Sequence, residues 1–247
     1  SSDLIKTISS TKETLDAANF PILGFVLNTF FLWRLHYSIK FENEVQKTVH
    51  QIKPWLDELA KLEAFVSFAI FNDKHTSFTY PEIVDEPYAL KITNGFHLLL
   101  DEKTVVKNDF ETNRPNNIAI ITGANMAGKS TFLRTVGTNL VLAMNGSKVS
   151  AEKMSFYPMD LFTSIRTVDN LSSGDSYFKN EINKLKILIE RLENDQPQII
   201  ILDEILKGTN SEDKLIGSQK FLEKLIKSPT KLIGFIATHD LELTKME

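Results

Sequence analysis

The sequence predicts an α/β fold with a mainly parallel central sheet, preceded by an all-α helical region, and three observations predict it. Over residues 42–71, apolar side chains recur every three or four positions. Three later apolar runs, ending at Gly123, Asp203 and His239, are continuous rather than alternating, as strands covered on both faces are. A glycine-rich loop, Gly123 to Ser130, joins one of those runs to a helical pattern. Together they divide the chain into a helical region, residues 1–75, and an α/β domain, residues 76–247.

The most apolar stretch, "FPILGFVLNTFFLW" from Phe20 to Trp33, is 14 residues long and interrupted by Asn28 and Thr29. That is too short and too mixed for a membrane span, so it reads as a buried helix. From Glu42 to Phe71, Val45, Val49, Ile52, Leu56, Leu59, Leu62, Val66 and Ile70 fall on one helical stripe. Pro54 lacks an amide hydrogen and crowds the carbonyl of His50, which predicts a kink or break just before it. At "NDKHTSFTYPEIVDEP" turn formers and two prolines end the helical period. Beyond it "YALKI", "VVKN", "NIAIITG", "LFTSIR", "QIIILDE" and "KLIGFIATH" read as strands, the later ones separated by helical stretches.

Composition narrows the function classes. A chain of 247 residues with 42% hydrophobic and 24% charged residues can bury a substantial core without staples. Having no cysteine, it has neither disulfides nor thiolate metal sites, which suits a reducing interior and sets the expectation of a cytoplasmic protein. The five histidines form no pair at metal-ligand spacing, so no zinc is expected. No basic n-region with a small-residue cleavage site precedes the apolar stretch, so no signal peptide is expected. The net charge of −4 is spread evenly, with 8 Lys/Arg against 9 Asp/Glu in residues 1–80 and 20 against 23 in the remainder. Neither part is basic, so composition gives no support for nucleic-acid binding by this chain unaided, although it leaves room for a local cationic patch.

The loop Gly123-Ala-Asn-Met-Ala-Gly128-Lys129-Ser130 fits the phosphate-loop pattern G-x-x-x-x-G-K-[ST] between the strand "IAIIT" and the helix "KSTFLRTVGTNLVLA". Glycines let successive backbone amides turn inward, and the helix N-terminus adds partial positive charge, so the loop makes an anion cradle. Lys129 is then placed for β- and γ-phosphates and the Ser130 hydroxyl for Mg²⁺. The run "IIILDE" sets Asp203 and Glu204 at a strand end. Asp203 is suited to the magnesium shell and Glu204 to orienting or deprotonating a water, provided that strand lies beside the loop. His239 ends a third apolar run, and parallel strands gather their C-termini along one ligand-binding edge, so it is expected near the same phosphate as a hydrogen-bond donor. The expected ligand is a polyphosphate with its Mg²⁺, for which the family resemblance that follows implies ATP.

These residues resemble the ATPase domain of the MutS family, a branch of the ABC-type P-loop NTPases associated with DNA mismatch repair. "TGANMAGKSTFLR" is similar to the family's TGPNMGGKST-type loop, and "DLFTSIRTVDNLSSGDSYFKNE" to its FTRIG and ASGRSTF block. "LDEILKGTNSED" is similar to DEIGRGTST and "FIATHDLELT" to FATHYFEL, with weaker similarity through "NGFHLLL", "VVKNDF" and "KLEAFVSFA". The resemblance implies that residues 1–75 are a helical lever region and residues 76–247 an ABC-type ATPase domain. It also implies a nucleotide loop of Gly123, Ala124, Asn125, Met126, Ala127, Gly128, Lys129, Ser130 and Thr131, with Asn125 contacting phosphate or water and Val105 and Asn108 near adenine. Glu204, His239, Lys129 and Asn125 would be the catalytic set. Ser173, Gly174 and Ser176 would belong to a signature helix that caps the γ-phosphate of the opposite subunit, although "SSGDS" would equally suit a helix-capping turn. Thr209, Asn210, Ser211 and Asp213 would form the loop that touches the partner in a homodimer with composite ATP sites.

The sequence departs from the family pattern at Ala124 (usually Pro), Asp175 and Ser164 (Arg), and Leu206-Lys207 (Gly-Arg). The phosphate chemistry is expected to survive these changes; the property they bear on is coupling to DNA. The Phe-x-Glu triplet Phe221-Leu222-Glu223 falls in a helical segment, not in a mismatch-reading domain. The family continues past the position of Glu247, so the chain is expected to be a fragment. The expectation is an ATP-hydrolysing part of a MutS-like protein, with DNA a partner of the full-length protein. The alternative is a nucleotide-sensing dimerisation scaffold of a MutS-like paralogue, in some cases membrane-tethered, without mismatch recognition. A transporter half ranks last, because the signature block lacks the LSGGQ form.

Overall fold

A strand buried on both faces must be apolar at every position, and two segments meet that condition. Ile199–Leu202 and Leu232–Ala237 are buried throughout. The computed structural model describes residues 2–16, 21–124, 126–165, 177–193, 197–206 and 210–245. It divides into two compact units, Ser1–Ile70 and Phe71–Glu247.

The first unit holds α1 (Ser2–Asp16), α2 (Pro21–Phe31) and most of α3 (Trp33–Lys74). Pro21 stands at the first helical position of α2, where a missing amide hydrogen costs nothing. Leu32, with φ of 46°, separates α2 from α3, and the Asn28 side chain accepts a bond from the Arg34 amide at 2.8 Å across that break. Trp33 Nε1 donates to the Thr14 carbonyl at 3.1 Å, tying α3 to α1. The helix α3 continues through Pro54 as one element, so of the kink or break expected there, the break does not occur. The ring removes one backbone bond, and the ladder on either side is kept. The segment read as a buried helix is helical but not buried, since Phe25 and Phe30 are 72% and 74% exposed. Likewise Leu56, Leu59, Leu62 and Val66 of the apolar stripe lie 49–59% exposed. Periodicity correctly marks a helix; burial requires a covering layer, and three helices alone supply none here among the described residues. No helix among the described residues is long and apolar enough to cross a membrane.

The second unit contains β1 (Glu82–Ile83), β2 (Leu90–Gly95), β3 (Asn108–Thr112), β4 (Asn117–Ile121) and α4 (Lys129–Met144). It continues with β5 (Lys153–Phe156), β6 (Asp160–Ser164), α5 (Tyr177–Leu192), β7 (Gln198–Asp203), α6 (Ser211–Ile226), β8 (Leu232–Ala237) and a 3-10 turn, Leu241–Lys245. One four-stranded sheet, in the order β4-β8-β7-β6, is parallel throughout. A second, in the order β1-β5-β2-β3, pairs antiparallel except between β1 and β5. Sequence patterning missed β1 and β5, both short. It also set a strand at "VVKN", where pairing begins only at Asn108.

The parallel sheet is covered on both faces. Ile199, Ile201, Ile233 and Phe235 pack with Leu133, Val136 and Leu140 of α4 and with Leu90, Ile92, Met154 and Phe156 of the second sheet. The alternate positions Ile200, Leu202, Leu232 and Ile236 pack with Leu185, Leu188 and Leu192 of α5 and Phe221, Leu222 and Leu225 of α6. Phe221 and Leu222, two members of the Phe-x-Glu triplet, therefore serve the core. Each such side chain contributes about 1.5–3 kcal/mol of burial. The helix α4 is further fixed by a buried polar knot in which Asn139 Oδ1 accepts from the Ser150 amide at 2.7 Å. The last turn of α3, within this unit, is stapled to the turn after α4. Asn72 Oδ1 accepts from Ser147 Oγ at 2.8 Å and from the Lys148 amide at 2.9 Å.

Candidate functional site

The loop between β4 and α4 bends where its residues permit. Gly123 has φ of 151°, Met126 of 64° and Gly128 of 91°. Gly128 is the N-cap of α4 and offers no side-chain cap, so the first-turn amides of Lys129, Ser130 and Thr131 are left to face a ligand. Lys129 Nζ crosses the loop, donating to the carbonyls of Gly123 at 2.7 Å and Ala124 at 2.9 Å, and faces His239 Nδ1 at 3.5 Å. An ammonium can only donate, so the ring proton of a neutral His239 belongs on Nε2, which is then a donor.

The sequence reading required the strand carrying Asp203 to lie beside the loop strand. It does not: β8 lies between β4 and β7, about 10 Å apart across two strand spacings. The register nevertheless aligns the ends, with Ile121 opposite Ala237 and Ala237 opposite Asp203. The ladder extends one step further, through the Thr238 amide to the Ile121 carbonyl at 3.0 Å and the Glu204 amide to the Ala237 carbonyl at 2.9 Å. Three parallel strands thus deliver the loop, the His239 segment and the acidic pair to one edge. Lys129, Ser130, Asp203, Glu204 and His239 line one cavity of about 310 Å³. Among its hard oxygen donors, the Ser130 hydroxyl and the Asp203 carboxylate suit Mg²⁺, which is held through one or two protein ligands plus phosphate.

The acidic segment is backbone-strained. Glu204 and Leu206 both have φ of 58°, a region that costs a non-glycine residue about 1–3 kcal/mol and persists only where surroundings enforce it. Several contacts do so. Glu204 Oε1 meets Lys214 Nζ of α6 at 3.1 Å, and the Leu206 amide donates to Glu181 Oε1 of α5 at 2.7 Å. Leu206 also lies so close to Gly217 that a Cβ there would stand 2.6 Å from its Cδ1. Lys214 bridges onward to Asp240 Oδ2 at 3.3 Å. Burial alone pushes the Lys214 ammonium toward its neutral form. The hydrogen bond and charge of Glu204, with the charge of Asp240, outweigh that and hold its pKa above the ordinary lysine value. Sequence reasoning missed Lys214, Asp240 and Glu181; only the folded arrangement brings them to the site.

A second hollow, about 710 Å³, opens on the other side of the loop and shares Met126, Ala127, Gly128, Lys129 and Thr131 with the first. Val105 and Asn108 line it, together with His97 and Phe132. His97 Nδ1 accepts from the Leu99 amide at 3.3 Å, and burial, then the charge of Arg134, holds the imidazole below its ordinary pKa.

Of the residues assigned to a partner contact, Asn210 caps α6: its Oδ1 accepts from the Asp213 amide at 2.9 Å, and its Nδ2 donates to Asp213 Oδ2 at 2.7 Å. Ser211 opens the same helix. Asn125, Ser173, Gly174, Ser176 and Thr209 lie outside the described residues.

A parallel sheet, a glycine loop feeding a helix N-terminus and an acidic pair on a nearby strand end together define a phosphate-loop α/β fold. The family profile of MutS domain V matches residues 119–247. The DNA mismatch repair protein MutS of Thermotoga maritima is 32% identical over 207 residues, which is 83% of this chain and 25% of that protein. Its namesake in Clostridioides difficile is 32% identical over 221 residues, 86% of this chain and 23% of that protein. The MutS protein homolog 4 of Mus musculus is 31% identical over 223 residues, 87% of this chain and 22% of that protein. The chain belongs to the MutS family. It spans about a quarter of the length of these relatives.

Proposed function

We propose that this chain is the Mg²⁺-dependent ATPase part of a MutS-family protein. In this reading residues 76–247 form an ABC-type ATPase domain and residues 1–75 a helical lever. The single observation that carries it is the convergence of Lys129, Ser130, Asp203, Glu204 and His239 on one cavity.

Bound ATP would supply the phosphoanhydride to be cleaved, with Mg²⁺ offsetting its charge. The first-turn amides of α4 and the Lys129 ammonium hold the β- and γ-phosphates, and Ser130 and Asp203 hold the metal. Glu204 orients a water and accepts its proton as the water oxygen bonds to phosphorus; ADP leaves with the electron pair of the broken P–O bond. His239 donates from Nε2 to the transferring phosphoryl group. Val105 and Asn108 flank the base in the second hollow. Asn125 joins the phosphate contacts.

The composite site would be completed by a second copy, with Ser173, Gly174 and Ser176 facing the partner's nucleotide and Thr209, Asn210, Ser211 and Asp213 meeting the partner. The staple between Asn72 and the turn after α4 ties the end of the loop helix to the last turn of α3, within the second unit. The relatives' names point to DNA transactions of the full-length protein.

The test is a comparison of the full-length protein with its Glu204→Gln variant. The variant should bind ATP as the wild type does and lose turnover, by roughly 10²–10⁴-fold for a general base. Equal turnover in the two proteins removes Glu204 from the mechanism. ATP-driven pairing with negligible turnover in the wild type would favour a nucleotide-sensing scaffold.

A further inference from the structure

The catalytic role proposed for Glu204 leaves open what aims its carboxylate, because the residue sits in a strained backbone conformation at the end of β7. Two backbone-side contacts fix where the segment starts and stops, namely the Glu204 amide on the Ala237 carbonyl and the Leu206 amide on Glu181. The carboxylate itself is met by the Lys214 ammonium, 3.1 Å from Oε1, with the lysine side chain only 15% exposed. That ammonium is in turn shared with Asp240 at 3.3 Å, next to His239. Lys214 stands in the first turn of α6, where its amide donates to the Asn210 carbonyl at 3.0 Å. Asn210 and Asp213, which cap that turn, are two of the residues assigned to partner contact.

From this bridge we infer that Lys214 is the positioning residue for Glu204, linking the first turn of α6 to the carboxylate that handles the attacking water. This rests on the reading of Glu204 as the base. A long side chain on a rigid helix turn sets the distance of the carboxylate from the cavity, and movement of that turn moves the carboxylate with it. Asp240, whose Oδ2 lies 3.3 Å from the same ammonium, attracts the lysine as well. Pairing of two copies at Asn210 and Asp213 would thereby act on hydrolysis without any change in the phosphate loop.

The test uses the full-length protein in five forms run in parallel: wild type, Lys214→Met, Lys214→Arg, Glu204→Gln and the Lys214→Met, Glu204→Gln double variant. Affinity is read with a fluorescent ATP analogue, and kcat with Mg·ATP at saturation. Lys214→Met should bind the analogue within about threefold of wild type while kcat falls about tenfold or more, the scale on which a misplaced catalytic group costs rate. Lys214→Arg, which keeps the cation, should recover most of that loss. In a Lys214→Met, Glu204→Gln double variant the lysine change should cost nothing further, because there is no carboxylate to aim. Unchanged or raised kcat in Lys214→Met, with Glu204→Gln inactive, overturns the inference about Lys214 alone. Loss of analogue binding in Lys214→Met, or failure of arginine to restore turnover, marks a merely structural role and also overturns it. Full turnover in Glu204→Gln overturns the reading of Glu204 and the lysine's role with it.

Discussion

Gly128→Ala separates the strain of the phosphate loop from its chemistry. Gly128 caps α4 at φ 91°, ψ 6°, and a Cβ built there meets nothing within 4 Å. The substitution therefore introduces no clash, and its cost in the folded state is torsional, about 1–2 kcal/mol for an L-residue held on the left-handed side. The reduced freedom of alanine in the unfolded chain offsets about 0.4–1 kcal/mol of that. The net loss is about 0–1.6 kcal/mol, and at about 2–4 °C per kcal/mol for a domain of this size the melting temperature should fall by no more than about 6 °C. Binding should suffer more. Relaxing φ at this position turns the amide that follows it, and a hydrogen bond to a charged group contributes about 1.5–3 kcal/mol. Losing one such bond should weaken ATP binding roughly ten- to a hundredfold. Thermal melts without nucleotide and titration with ATP and Mg²⁺ read the two effects separately. ATP affinity within twofold of wild type, alongside the expected small drop in melting temperature, would refute the assignment of the loop amides to phosphate.

Two further predictions concern the scaffold. Asn139→Leu leaves the fully buried Ser150 amide without its acceptor, a loss of about 1–3 kcal/mol, and should lower the urea midpoint of the second unit; an unchanged midpoint would show that the knot around Asn139 does not hold α4. His97 has its pKa depressed in the fold, so between the folded value and the unfolded value of about 6.5 the unfolded chain binds more protons. Its contribution to stability is therefore present above about pH 6.5 and is lost as pH falls through the folded value. His97→Gln should flatten the stability difference between pH 5 and pH 8 relative to wild type, and equal slopes in both proteins would contradict this.

What the sequence made legible follows from how local the determining physics is. The phosphate loop could be read because its chemistry occupies eight consecutive residues between a strand and a helix, and the runs before Asp203 and His239 because burial on both faces forbids alternation. The order of the strands was not legible. Nothing in "IIILDE" or "LIGFIATH" says that β8 inserts between β4 and β7, since both runs are equally apolar. The second sheet was read only in part because β1 spans two residues and β5 four. The apolar stripe of α3 indicates a helix but not what covers it. Lys214 follows Glu204 by ten positions in a charged stretch that reads as a solvated helix start; only α6 folding back beside β7 makes it a partner of the carboxylate.

In the proposed site one magnesium-bound triphosphate sits between the loop of α4 and the end of β7, and the dependence of ATP affinity on the metal is the sharpest check of that arrangement. ATP binding to the full-length protein should be measured with Mg²⁺ and with EDTA, in wild type and in Asp203→Asn. Mg²⁺ should tighten binding in the wild type, and most of this gain should disappear in the variant. Equal affinity with metal and with chelator in the wild type, or an undiminished gain in Asp203→Asn, would contradict it.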